Sequence, residues 1–280
     1  MNYIQEELVK EFINRLPPLE KPNNTHLQML AARSRKCREI MGFKIKDLVM
    51  ERKIIRAIPE WKTRYFDSIY NLAVLQNHGR YTVNDVYVPT EAFGILATIS
   101  PRNVTSATEE IMKEQTELIF KTLKDQQSYL LLGKINSRFF ASLHRHHDRT
   151  WNFVTLDLDV STKEIYEDIH DIISPLKIWM ITETSRGYHF ILDLKHVDDA
   201  KTFYGYGKRP QDGIIYKLKS KYCKESLKNN TKVDGCVNCW NASNSVSTDV
   251  LHIQKDSQEP VVGTMYSRNK GEPYYVQIIE

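Results

Sequence analysis

An α+β fold is predicted: a sheet backed by helices over residues 81–280, joined to a helical unit over residues 1–80. Two observations predict it. From Asn152 the chain reads strand, helix, strand, strand, which suits a split βαβ core with a mixed or antiparallel sheet. Near His78-Gly79 the texture changes from helix-period apolar spacing to short β-branched runs. Four cysteines in 280 residues make no disulfide framework. No apolar run approaches the ~20 residues that cross a bilayer, and MNYIQEELVKEF lacks the layout of a signal peptide. A soluble, cytoplasmic protein with no membrane partner is expected.

The elements follow in order. Ile4, Leu8, Val9, Phe12, Ile13 and Leu16 mark an amphipathic helix that Pro17-Pro18 ends. Further helical patterns run through about 25–41, 45–57 and 62–76. TVNDVYVP and FGILATIS read as strands. Ser106 and Glu109 have capping-box spacing and open a helix to about Asp125. YLLLGK is a short apolar strand and NSRFFASLHRHH a short helix. NFVTLDLDV is a strand. Ser161 and Glu164 cap a helix whose apolar face is Ile165, Ile169, Ile172 and Ile173, stopped by Ser174-Pro175. KIWMITET and YHFILDL form a hairpin about SRG. A helix at about 210–228 and strands at about 249–255, 261–266 and 273–279 complete the chain.

The strand WNFVTLDLDV places two acids inside an apolar run. Side chains alternate along a strand, so Val154, Leu156, Leu158 and Val160 share one face, and Phe153, Thr155, Asp157 and Asp159 the other. Two carboxylates roughly 6.5–7 Å apart at Cα can converge on divalent ions. Bare, they repel, and a hard cation such as Mg²⁺ resolves that. A strand with one solvated acidic face is the plain alternative. On the following hairpin, Ser185, Arg186 and His189 offer hydroxyl, guanidinium and imidazole donors of the kind that hold phosphate oxygens. Near the C-terminus STDVLHIQKDSQEPVVGTMY supplies a further acid. Asp249 and Asp256 lie an odd number of residues apart, so strand geometry lets only one face the pair. Asp256, which heads the PVVGT segment, is the expected third acid, with Asp249 as the alternative.

The ordered set LDLD, then SRGYHFIL, then KDSQEPVVGT over residues 85–280 resembles the archaeo-eukaryotic primase superfamily, which includes replicative primase small subunits, primase-polymerases and end-joining polymerase domains. ILATISPRN resembles the segment ahead of that family's first motif, with Ser-Pro-Arg in place of Asn-Pro-Arg. The resemblance implies an RRM-like catalytic core. It implies that Asp157, Asp159 and a third acid hold Mg²⁺ or Mn²⁺. It implies that Ser185 and His189 contact a nucleoside triphosphate, with Arg102 and Arg186 as further phosphate or nucleotide contacts. The activity expected is template-directed nucleotidyl transfer by a primase-polymerase, with priming included. A gap-filling or end-joining polymerase without priming, and a non-catalytic nucleic-acid-binding module, are the alternatives. Expected partners are a single-stranded or primed nucleic-acid template, nucleoside triphosphates, and a helicase or other replication protein.

Cys236-x-x-Cys239, with twelve residues between Cys223 and the pair, has the spacing of zinc ligands. Several members of the resembled family carry a zinc-bound insertion at this place, which implies a structural Zn²⁺ site over 223–239. Its fourth ligand is His252, Cys37 or another histidine. HRHHDR, with His144, His146 and His147, reads as a solvated basic linker. Residues 1–60 hold twelve Lys/Arg against eight Asp/Glu, so the net charge of +4 resides there. Its densest part is RSRKCR, Arg33 to Arg38, which is either a solvated helix face or a phosphate contact.

Overall fold

The computed structural model describes residues 3–42, 48–83, 85–124, 134–159, 163–205, 212–222, 246–247, 251–255, 258–269 and 272–280. The fold is α+β, with helices packed on two antiparallel sheets.

Helix α1 (Glu6–Arg15) buries Val9, Phe12 and Ile13 and ends before Pro17. Strand β1 (Asn24–Ala32) follows, then α2 (Ser34–Met41), strand β2 (Leu48–Arg56) and α3 (Trp61–His78). The helix expected over 25–41 is strand β1 in its first half and helix α2 in its second, the helix expected over 45–57 is strand β2 where described, and residues 1–80 are not a purely helical unit. β1 is buried along all nine residues, so no alternation marks it as a strand. A small hairpin, β3 (Thr82–Val83) with β4 (Val86–Tyr87), leads to β5 (Phe93–Thr98) and β6 (Arg102–Asn103). α4 (Val104–Thr122) starts earlier than expected: Asn103 is its N-cap and accepts from the Ser106 N–H. α5 (Ile135–Arg145) is the expected short helix.

The next strands are β7 (Phe153–Leu158), β8 (Ile178–Glu183) and β9 (Tyr188–Asp193), with α6 (Lys163–Ile173) between β7 and β8. α7 (Val197–Tyr204), a short helix with no expected counterpart, and α8 (Ile214–Tyr222) come next. The chain closes through β10 (Val246–Ser247), β11 (Leu251–Lys255), β12 (Gln258–Pro260), β13 (Met265–Asn269), β14 (Glu272–Tyr275) and β15 (Gln277–Ile278). The expected strand YLLLGK, up to Gly133, and the expected cap Ser161 lie outside the described residues.

One sheet has the order β12-β5-β1-β2, with β6 also on β1; the other has the order β10-β11-β7-β9-β8-β15. In the second sheet β7 and β8 both run antiparallel to β9, hence parallel to each other with β9 between them. β11 pairs with the outer side of β7. Val154, Leu156 and Leu158 join Phe190 and Leu192 in a core under α6, α7 and α8. Phe153, Met180 and Ile191, from the opposite face, join the larger core built on α1, α3 and the first sheet. The candidate site residues Asp157 and His189 sit where that opposite face looks across to the first sheet. No helix among the described residues is long and apolar enough to cross a membrane.

Candidate active site

The alternation of β7 turns Thr155 and Asp157, with Asp159 just beyond, into a cavity of about 660 Å³. The first sheet supplies the opposite wall through Met29, Ala31 and Leu96, and Arg33, which caps α2, with Lys36 and Arg38 of α2, adds basic groups. The expected acidic face and the basic segment RSRKCR therefore line one space. Cys37 of that segment is buried in the larger core instead.

Asp157 and His189 are direct cross-strand partners in the β7–β9 register, the arrangement that brings side chains closest. His189 Nε2 lies 3.4 Å from Asp157 Oδ1, and Nδ1 lies 2.7 Å from Glu259 Oε2. Glu259 comes from the other sheet, paired through β12 to Ala97 of β5. It is only 1% exposed and also accepts the Thr155 hydroxyl at 2.7 Å. A buried carboxylate needs such partners. Burial by itself would lower the His189 pKa. Glu259, Asp157 and Asp159 outweigh that and raise it to about 9. The ring is thus an imidazolium at neutral pH, its two N–H groups serving one carboxylate from each sheet.

Sequence reasoning missed Glu259. It is a lone acid abutting the apolar run Pro-Val-Val, the same signal that marks Asp157 and Asp159. Asp249 and Asp256, the expected third acids, lie outside the described residues, as do Cys223, Cys236 and Cys239 and the side chain of His252.

The remaining expected contacts divide. Arg186 lines the cavity and pairs with Glu39, which also holds Lys36 at 3.2 Å. This contact ties the β8–β9 turn to α2 across the cavity mouth. Thr184 braces the turn, donating to the Gly187 carbonyl at 3.3 Å. Ser185 is half-buried and is not part of the cavity lining, whereas its neighbours Thr184 and Arg186 are. Arg102 is fully buried on β6, donating to the His144 carbonyl at 2.8 Å, and does not reach the cavity. An expected phosphate contact is thereby a structural cation. Arg33 is also fixed: its guanidinium stacks 3.9 Å from the Tyr266 ring and donates to the Glu91 and Tyr266 carbonyls. Gly94 makes room for this stack, since a Cβ there would meet Tyr266 at 3.0 Å.

HRHHDR is not a solvated linker. His144 meets Gln258 of the cavity wall, His146 meets Glu110 of α4, and Asp148 accepts from Lys21, Asn24 and Thr150.

The chain matches no family model, no curated protein and no solved structure.

Three carboxylates, one imidazolium and a cationic rim facing one cavity can bind a polyanion together with cations. Among the described residues no three His, Cys, Asp or Glu side chains stand in metal-ligating geometry. The donor set itself, carboxylate oxygens from Asp157, Asp159 and Glu259, is of the kind that hard divalent ions select.

Proposed function

We propose that the chain is a metal-dependent nucleotidyltransferase that joins nucleoside triphosphates to a 3′-hydroxyl on a nucleic-acid template, in the manner of a primase-polymerase. The observation that carries this reading is the convergence of Asp157, Glu259 and His189, from three strands of two sheets, under the basic rim at α2. A binding sheet for nucleic acid presents aromatic and basic residues; bare carboxylates repel phosphate. The strand order β11-β7-β9-β8 agrees with an RRM-like catalytic core.

In this reading Asp157, Asp159 and Glu259 hold Mg²⁺ or Mn²⁺, which when bound lowers the pKa of the attacking hydroxyl and neutralises the leaving pyrophosphate. The chain's own groups bind and orient. His189 keeps Glu259 on Nδ1 and turns its Nε2–H from Asp157 to a phosphate oxygen once a metal takes the Asp157 carboxylate. Lys36 and Arg186 exchange Glu39 for the triphosphate, a charge-assisted contact on each. Arg33 and Tyr266 form a rigid wall beside the carboxylates. Cys223, Cys236 and Cys239 are proposed to hold a structural Zn²⁺, which elemental analysis of the purified protein tests.

The deciding experiment is incubation with a single-stranded template, with and without a primer, labelled ribo- and deoxyribonucleotides, and Mg²⁺ or Mn²⁺. Metal-dependent extension is expected from the wild type and none from Asp157→Asn/Asp159→Asn protein of unchanged circular dichroism. Equal extension by both proteins would remove the site from catalysis.

A further inference from the structure

A second cavity, of about 400 Å³, lies between β2, the edge strand of the first sheet, and α3. Lys53 and Arg56 come from the strand and Arg64 from the helix, so cations line both walls. Elsewhere the described cations are commonly neutralised, as in Lys21 with Asp148 or Arg145 with Glu110. Among the described residues these three have no ion-pair or side-chain hydrogen-bond partner. One carboxylate, Asp67, shares the groove and leaves it net positive. Ser68 lines the same groove, and its Oγ is buried with no hydrogen-bond partner. Asn71 adds an amide, and Ile54 and Ile58 an apolar floor.

We infer that this groove binds the phosphodiester backbone of a nucleic-acid strand. Arg, Lys, Ser and Asn are the side chains that contact phosphate and sugar, and such contacts carry no base information. The lining contains no aromatic ring, so base stacking plays no part. A free phosphate is far smaller than the groove, and cations on two walls suit successive charges. β2 also reaches the first cavity through Val49, four residues from Lys53, or about 13 Å along the strand. That spans roughly four stacked nucleotides at ~3.4 Å each. The bound strand is then the template, an assignment that rests on the nucleotidyl-transfer reading of the first cavity; the binding itself does not.

Fluorescence anisotropy of a labelled oligothymidylate, titrated at several salt concentrations without nucleotide or divalent metal, tests the groove. Lys53→Gln/Arg56→Gln/Arg64→Gln protein is expected to bind about tenfold more weakly at low salt. Its log K against log salt slope should be shallower by about 2, three contacts at ~0.7 each. Arg64→Gln alone, an exposed helix position, should lower the slope by ~0.7 and serves if the triple variant misfolds. Asp157→Asn/Asp159→Asn protein should bind at least as tightly as the wild type. Unchanged affinity and slope in the groove variants overturns the inference, as does absence of salt-dependent binding by the wild type. Polyglutamate displacing the oligonucleotide as well as unlabelled strand does would give the groove to an acidic protein segment and also overturn it. If no primer is extended but the triple variant loses oligonucleotide binding, the catalytic reading falls and the groove stands. If primers are extended and the triple variant binds like the wild type, the groove alone falls.

Discussion

His189 touches one carboxylate on each ring nitrogen, and this contact joins the two sheets. Its Glu259 partner is the more demanding one, since Glu259 is nearly fully buried. Glu259→Gln keeps an acceptor for the Thr155 hydroxyl and sets an amide N–H against the His189 N–H. One charge then leaves the cavity with little change in volume. Extension in Mn²⁺ is predicted to fall by about 100-fold or more, with the unfolding midpoint shifted by only a few degrees. Asp256→Asn is the control: the same loss there would return the third acid to the position expected from sequence. Legibility at this scale followed local alternation. That Asp157, Asp159 and His189 line one cavity was readable because a strand's faces separate with period two. Glu259 was not, because its role depends on pairing between β12 and β5, residues more than 150 apart in the chain. Arg102 was misread for a related reason: a Pro-Arg motif does not say whether the guanidinium ends in solvent or under α5.

The elements that escaped the sequence reading are those whose environment overrides local preference. NTHLQMLAA is rich in helix formers, yet β1 lies between two strands and is covered on both faces, so periodicity and propensity both mislead. LVMERKIIR is an edge strand with charges on both faces, which blurs its alternation. The segment PVVGT reads as part of a catalytic motif, but its Gly263 is architectural. It adopts φ +76°, and a Cβ there would come 2.7 Å from the Gln5 carbonyl and 3.0 Å from the Val9 N–H nitrogen. The Gln5 N–H also donates to the Gly263 carbonyl at 2.8 Å, which anchors α1 to the turn behind β12. Gly263→Ala is predicted to cost about 2–4 kcal/mol, combining left-handed strain with backbone overlap. Gly42→Ala carries the same φ sign in open space, with nothing within 4 Å of its Cβ, and should cost about 1 kcal/mol. Urea unfolding of the pair separates the two terms; equal losses would mean that the packing against α1 contributes nothing.

At the scale of the whole molecule, two cores share one sheet and the cavity opens between the sheets, so stability and site chemistry depend on buried charge. Three sets of groups fix the response to pH, and their signs differ. His26 is fully buried on β1, with Nε2 3.0 Å from the Pro17 carbonyl and its ring against Trp61 and Tyr65. Burial holds its pKa down at about 4, and the Arg102 charge acts in the same direction. The unfolded chain, with an ordinary value near 6.5, therefore takes up a proton that the native state refuses. Stability from His26 is complete above about pH 6.5 and declines as pH falls towards 4, by about 3 kcal/mol in all. Glu110, kept low at about 2 by Ser142 and Arg145, adds loss only as pH falls below its ordinary carboxylate value, and Asp148 behaves likewise. His189 acts oppositely: its raised value favours the native state at low pH, and that contribution fades as pH rises from 6.5 towards 9. Between about pH 6.5 and pH 4.5 the slope therefore belongs to His26. Urea unfolding across that interval should show stability falling by more than 1 kcal/mol per pH unit in the wild type. His26→Gln, less stable at neutral pH, should show a flat profile there. A wild-type profile equally flat, or a variant that keeps the slope, would place the acid sensitivity elsewhere than under β1.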